Sequence, residues 1–188
     1  MEPNIQSVEI KILFIFGLSG AGKSKTCNYL EDYHKFHHYD IDNTNAFENY
    51  GFLPEWDEGQ HLDNIDLEDL VECVRSQLSE SIFSGAVFSF PSNRILWIKT
   101  KNDLVQNGIT PIILCGSKEL CYCERVCRDR KNNKKAILSM RSYDRDNSAA
   151  FKEYCKEDYK EYRIQVFNRY GYRRSQSEIE AEILTRLT

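Results

Sequence analysis

Lys11-Ile12-Leu13-Phe14-Ile15-Phe16 is a short apolar run, and Gly17-Leu18-Ser19-Gly20-Ala21-Gly22-Lys23-Ser24 follows it without a break. The run has the length and continuity of a strand buried on both faces. The octapeptide satisfies the spacing G-x-x-x-x-G-K-[ST]. Glycines let such a loop curl so that successive backbone N–H groups point inward, and a helix beginning near Gly22 brings its positive dipole end to the same spot. The expectation is a phosphate cradle, with Lys23 reaching the β- and γ-phosphates and the Ser24 hydroxyl serving as a ligand of Mg²⁺. Chance would produce this pattern in a chain of this length about once in a hundred, and its place between strand and helix makes a mere glycine-rich turn the weaker reading.

Outward from that point, strands and helices alternate along the chain. A helix is expected from about Gly22 to Tyr33, a strand over Phe36 to Ile41, and a long helix over Asp66 to Phe83, where Leu67, Leu70, Val71, Val74 and Leu78 share a face. Gly85 to Phe90 reads as a third strand, Asn93 to Gln106 as a helix, Thr110 to Cys115 as a fourth strand and Lys118 to Asp129 as a helix. Asn147 to Glu161 reads as another helix, Tyr162 to Phe167 as a fifth strand, and Ser177 to Leu187 as a closing helix capped by Ser175 or Ser177. Strands separated by helices imply right-handed crossovers. The expected fold is α/β with three layers: a five-stranded, mainly parallel sheet with helices on both faces.

Composition narrows the class. The chain has 188 residues, 41% hydrophobic and 29% charged, with nine glycines and four prolines, close to globular averages. Collagen-like, low-complexity and wholly disordered readings are excluded. One domain over residues 1–188 is expected, able to bury a core without metal or disulfide. No apolar run approaches the ~18 residues of a membrane span. Met1-Glu2-Pro3-Asn4-Ile5 lacks the basic and apolar order of a leader, and the seven cysteines are an odd number. Free thiols in a reducing cytoplasm are therefore expected. Cys121, Cys123 and Cys127 face different sides of a helix, which disfavours zinc, and His34, His37, His38 and His61 show no metal spacing.

The net charge of −4 conceals a segregation. From Glu31 to Glu72 there are thirteen acids and one base, Lys35, whereas from Lys118 to Arg145 nine bases face four acids. One segment repels anions and the other attracts them.

Three patches resemble the P-loop small-molecule kinases, a group that includes nucleoside monophosphate, shikimate, gluconate and adenylylsulfate kinases. Gly17 to Ser24 reads GLSGAGKS, similar to adenylylsulfate kinases. Tyr39-Asp40-Ile41-Asp42-Asn43 resembles the D-x-D of shikimate kinases and the DGDN of adenylylsulfate kinases. The stretch around Arg125, Arg128 and Arg130 is similar to the lid that closes over ATP in these families, and Arg141 resembles a second arginine group of nucleotide kinase lids. The resemblance implies an acceptor-side insertion at about residues 43–65 and a lid at about residues 125–147. The implied nucleotide contacts are Gly17, Ser19, Gly20, Ala21, Gly22, Lys23, Ser24, Cys27, Arg125, Arg130 and Arg141. Ser24 and Asp40 are the expected Mg²⁺ ligands, Asp40 through water. The implied catalytic set is Lys23, Asp40, Asp42 and Arg128.

Physical reasoning supports parts of this assignment. Parallel sheets bind ligands at the carboxyl ends of their strands, and alternation sends Asp40 and Asp42 to one side, toward the phosphate loop. One acid would hold Mg²⁺ through water while the other accepts a hydrogen bond from, or deprotonates, an acceptor hydroxyl. An arginine would neutralise charge on the transferring phosphoryl group. The bland alternatives are an Asx turn for the acids and a solvated basic helix face for the arginines.

The departures from these families are also informative. In Phe88-Ser89-Phe90-Pro91-Ser92, Phe88 stands where adenylate kinases carry an acid and Ser92 where they carry an arginine. With Lys35 the one base between Glu31 and Glu72, no cation of that segment clamps a phosphate, although Arg75 and Arg94 stand nearby in sequence. A neutral or cationic acceptor, a hydroxyl or amine compound, is the expectation, with Trp56 a candidate stacking surface or a core residue. The expected activity is ATP-dependent phosphoryl transfer with Mg²⁺ to a small molecule, without membrane or nucleic acid as partner. The alternatives are a nucleotide-binding switch or regulatory ATPase acting on a protein, and a nucleoside monophosphate or nucleic-acid end kinase.

Overall fold

The computed structural model describes residues 10–41, 45–57, 62, 65–132 and 139–187. Five strands, β1 (Lys11–Gly17), β2 (Phe36–Asp40), β3 (Gly85–Ser89), β4 (Ile109–Cys115) and β5 (Arg163–Gln165), form one parallel sheet in the order β2-β3-β1-β4-β5. The helices are α1 (Lys23–His34), α2 (Ala46–Asn49), α3 (Leu67–Leu78), α4 (Ile98–Gln106), α5 (Lys118–Lys131), α6 (Met140–Tyr154) and α7 (Gln176–Thr185). Short 3₁₀ turns occupy Pro54–Asp57 and Glu157–Tyr162. Among the described residues no helix is long and apolar enough to cross a membrane, and no group of His, Cys, Asp and Glu is placed to hold a metal ion by itself.

β1 is central, and Ile12 to Phe16 are buried on both of its faces. Each such side chain stabilises the fold by about 1.5–3 kcal/mol. Beside it an aromatic layer runs from Phe14 to Phe88 at 5.0 Å and on to Tyr39, stacked on Phe88 at 4.6 Å. Phe47, Phe52 and Trp56 extend this layer, with Trp56 only 2% exposed and 5.9 Å from each of the other two rings. Trp56 is thus a core residue, and no face of it is open to stack on an acceptor.

Several helix boundaries differ from the sequence reading, for local reasons. α3 is capped by Asp66, whose side chain accepts from the N–H groups of Glu68 and Asp69, but it stops at Leu78 rather than Phe83. The Ser79 and Ser81 hydroxyls there donate back to the carbonyls of Ser76 and Leu78, competing with helix continuation. α4 begins at Ile98 rather than Asn93. The preceding carbonyls of Arg94 and Leu96 accept instead from the buried hydroxyls of Tyr154 and Tyr159. α6 begins at Met140, capped by Ser139, and ends at Tyr154, so the helix expected over Asn147 to Glu161 starts a full two turns earlier. α7 carries the capping box of Ser175 and Glu178.

α7 packs on α1 through Glu180, 2% exposed, which accepts from His34 Nε2 at 3.1 Å. Burial raises the Glu180 carboxyl above its ordinary 4.5, outweighing the opposing hydrogen bonds. The folded chain therefore holds this proton more tightly than the unfolded chain does. The associated stability is fully present below about pH 4.5 and is lost as pH rises through the folded value. Glu180→Gln is expected to remove that slope. Denaturant titrations of both proteins from about pH 4 to pH 7 should show the wild type losing stability relative to the variant, and parallel curves would contradict the assignment.

Candidate active site

Because every strand runs the same way, the carboxyl ends of β1, β2 and β3 meet at one edge of the sheet, where Asp40 pairs in register with Ser89 and Ile15 with Ser89 on its other side. The loop after β1 closes there into the α1 N-terminus. Gly22 is the N-cap, in the left-handed region at φ 92°, and no side chain caps the helix. The first amide groups of α1 are thus left to an anion.

Side-chain donors, one from the loop itself and two from distant parts of the chain, hold the carbonyls of this loop. Lys23 Nζ donates to the Gly17 and Leu18 carbonyls at 3.0 and 3.3 Å. The Tyr143 hydroxyl of α6 donates to the Ser19 carbonyl at 2.6 Å, and Arg173 Nη2 to the Ala21 carbonyl at 2.9 Å. The Ser19 N–H is itself held by Asn147 Oδ1 at 3.1 Å.

That cavity has a volume of about 660 Å³ and is lined by Ser19, Gly20, Gly22, Lys23 and Ser24, by the α1 face carrying Lys25, Tyr29 and Asp32, and by the α5 face carrying Glu124, Arg125, Arg128 and Lys131. Arg173 closes one side and Pro91 and Ser92 another. Six cations in its lining face two acids, Asp32 and Glu124, a balance suited to a polyphosphate.

Arg125 is the best placed of the predicted lid arginines. Its Nη1 donates to Ser19 Oγ at 2.5 Å and its Nε to Asp129 Oδ2 at 2.7 Å. Asp129 is 3% exposed and also has Arg128 Nε at 3.6 Å from its other oxygen. One buried carboxylate thereby steers both arginines toward the loop. Arg130 and Arg141 are exposed and lie outside the cavity lining. Residues 133–138 of the expected lid are outside the described residues.

Asp40 stands at the end of β2. Ser89 Oγ donates to its Oδ1 at 2.9 Å, His38 Nε2 lies 2.9 Å from the same hydroxyl, and His38 Nδ1 lies 2.7 Å from Asn28 Oδ1 on α1. Burial pulls the His38 imidazole below its ordinary 6.5. Cys27 differs from the expectation. It is fully buried between α1 and the sheet, away from the cavity, where burial pushes its thiol well up. That thiol feels the charges of both Asp40 and Lys23, and Asp40 is not among the residues that line the cavity. Asp42, the other half of the D-x-D, falls outside the described residues.

Sequence reasoning did not single out Arg173, Tyr143 or Asn147. The one local signal was the Arg173-Arg174 pair after the last strand, at the same sheet edge as the loop.

No protein-family model matches the chain, and no curated protein matches it in sequence. Solved structures do match it. A gluconokinase from Sinorhizobium meliloti 1021 is similar over 94% of this chain and 93% of its own, with a TM-score of 0.54 at 15% identity. A sugar kinase from Janibacter sp. HTCC2649 is similar over 95% of this chain and 94% of its own, at TM-score 0.53 and 16% identity. A shikimate kinase from Acinetobacter baumannii, in complex with shikimate, is similar over 95% and 93%, at TM-score 0.52 and 15% identity. At such identity the likeness lies in the backbone path. In architecture, with its parallel five-stranded sheet and the phosphate-type loop between β1 and α1, the chain has the fold of the P-loop kinases.

Proposed function

We propose that this protein is an ATP-dependent phosphotransferase that moves the γ-phosphate of MgATP to a small hydroxyl or amine compound. The observation that carries this reading is the loop of Gly17 to Ser24, its carbonyls held by Lys23, Tyr143 and Arg173, opening into a cavity whose cations outnumber its acids six to two. The amides of Gly20 to Lys23 and the Lys23 ammonium bind the phosphates. Arg125 and Arg128 neutralise charge on the transferring group. Asp40, oriented by Ser89, accepts the proton of the acceptor hydroxyl or amine as the new bond to phosphorus forms.

Ser24 on the first turn of α1 and Asp40 offer hard oxygen donors of the type Mg²⁺ takes, and Asp40 has one oxygen beyond the one that Ser89 engages. When bound, the ion would offset the negative charge of the β- and γ-phosphates. The acceptor stands on the β2 side of the loop, opposite the lid helix α5. The names of the similar structures, gluconokinase and shikimate kinase, accord with a small-molecule acceptor.

The deciding experiment is a screen for acceptor-dependent ADP formation by the purified protein. One class of hydroxyl or amine compound is expected to raise turnover well above basal hydrolysis. Basal hydrolysis indifferent to every compound but altered by a partner protein would instead support a regulatory ATPase. Salt-dependent binding to oligonucleotides would support a nucleic-acid end kinase.

A further inference from the structure

A second cavity, of about 210 Å³, lies between the ends of β4 and β5 and helix α6, and its lining includes Leu18 of the phosphate loop. It shares no lining residue with the nucleotide cavity. Leu18, Phe151 and Tyr154 give it apolar walls. The Tyr154 hydroxyl is already engaged, donating to the Arg94 carbonyl at 3.1 Å, so its ring is what remains for the cavity. Cys115 acts as a further apolar group, because burial pushes its thiol up to about 12 and keeps it protonated. Arg163, the first residue of β5, is the one charged side chain in the lining. Its guanidinium makes one hydrogen bond, a long one of 3.5 Å to the Cys155 carbonyl, and no ion pair among the described residues. The charged groups around it are committed elsewhere. Glu157, whose carboxyl feels Arg163, is held by Lys160 at 2.8 Å. Arg186 pairs with Glu182 at 3.1 Å, and Lys118, over the Phe151 ring, pairs with Asp144 at 2.8 Å. Arginine keeps its charge at any pH at which the fold survives, so the cavity presents one unpaired cation at the edge of an apolar chamber.

We propose that this cavity is a regulatory site for a small apolar carboxylate, a single aromatic ring or short branched chain bearing one carboxylate, and that its occupancy changes nucleotide affinity at the phosphate loop. The volume equals that of about seven waters and lies below the roughly 300–1,000 Å³ of sites for drug-sized ligands, which limits the apolar part to about one ring. A carboxylate matches the guanidinium fork with two hydrogen bonds. A phosphate would bring a second charge to a single guanidinium and nothing to fill the apolar walls. The link to the nucleotide runs through α6. Ser19, next to Leu18, has its N–H held by Asn147 and its carbonyl by Tyr143, both on that helix. Phe151 and Tyr154 lie one and two turns beyond Asn147 on the same helix. A ligand seated among Leu18 and these two rings therefore bears on both sides of the contact that fixes the loop, and whatever it does to nucleotide affinity the nucleotide does to its own.

Binding at this cavity stands apart from the phosphotransferase reading, whereas the coupling needs a nucleotide at the loop, and the test separates the two. Wild type and Arg163→Gln are compared with phenylacetate, benzyl alcohol and acetate at millimolar concentration and constant ionic strength. Phenylacetate is expected to raise the wild-type thermal midpoint by about 2 °C or more, further than either of the other two, and its advantage over benzyl alcohol should vanish in Arg163→Gln. A second measurement on the wild type needs no variant. Cys155 is exposed and lines this cavity, so its alkylation by iodoacetamide should slow by about threefold or more with phenylacetate, while the exposed Cys123 of α5 reacts as before. Phenylacetate should also shift the affinity for ADP by about fivefold or more. Equal responses to phenylacetate and benzyl alcohol in the wild type, or equal slowing at Cys155 and Cys123, overturn the site. An ADP affinity that ignores phenylacetate overturns the coupling. Protection of Cys155 in a protein that binds no ADP leaves the cavity site standing and removes the phosphotransferase reading.

Discussion

Lys23→Ala is expected to weaken ATP binding by about 100-fold, because truncating one partner of a close charge pair costs about 2–5 kcal/mol and each 1.4 kcal/mol is tenfold in affinity. Without phosphate, the ammonium is held by the carbonyls of Gly17 and Leu18 at 3.0 and 3.3 Å. It is therefore already at the loop that the phosphates enter, and it exchanges neutral acceptors for charged ones on binding. The variant also loses those two hydrogen bonds, each contributing about 1 kcal/mol, so the fold should survive with a modestly lower thermal midpoint. Isothermal calorimetry with ATP and Mg²⁺ checks the first effect and calorimetric unfolding the second. An ATP affinity equal to the wild type's would place the nucleotide somewhere other than the cavity above Gly17 to Ser24.

The largest stability effect is expected at Gly20. Its φ of +90° lies in the left-handed region, and a Cβ there would clash with the Cys121 carbonyl oxygen, standing only 2.9 Å from the carbonyl carbon and 3.2 Å from the Arg125 nitrogen. All three atoms belong to the backbone of α5, which cannot rotate aside. Backbone strain of about 1–3 kcal/mol adds to overpacking of about 1–3 kcal/mol, so Gly20→Ala should cost about 4 kcal/mol and lower the midpoint by about 10 °C. Gly22→Ala provides the contrast. Gly22 has a similar φ of +92°, but the group in the way is the end of the Arg173 side chain, which can swing aside. Gly22→Ala should therefore be the milder change in stability while releasing Arg173 from the Ala21 carbonyl. Equal destabilisation by the two substitutions would contradict the close packing of loop on helix.

The aromatic and electrostatic surroundings of the acceptor side show why charge counts along a chain can mislead. Many acids of the Glu31 to Glu72 stretch serve local structure. Asp57 caps α2, Asp66 caps α3, and Glu31 accepts from the His38 N–H at 3.1 Å. A carboxylate committed to backbone amides is partly neutralised by them, so thirteen acids in sequence do not make thirteen charges facing a ligand.

What the amino-acid order determined by itself is what depends on neighbours within a few positions. The apolar continuity of Ile12 to Phe16, the glycine spacing through Gly22, the Lys23-Ser24 pair and the serine cap at Ser175 or Ser177 each act over one strand or one turn. Each is present as expected in β1, the loop, α1 and α7. Alternation of such units is enough to imply a parallel α/β sheet. The tertiary structure alone decided how the loop is held and what surrounds it. Tyr143 and Asn147 meet Ser19 across 124 and 128 residues, and Arg173 reaches Ala21 across 152. Hydrogen bonds of that span follow from the sheet order, which sets β4 against β1 and β5 beyond β4, bringing the segments after them to the same edge as the loop. No local propensity encodes which distant side chain ends there. The same holds for helix ends, where the Tyr154 and Tyr159 hydroxyls take the carbonyls of Arg94 and Leu96 and delay α4 to Ile98. Periodicity reports which face of a segment is buried, whereas the partner that satisfies a buried polar group is chosen by packing, after the chain has folded back on itself.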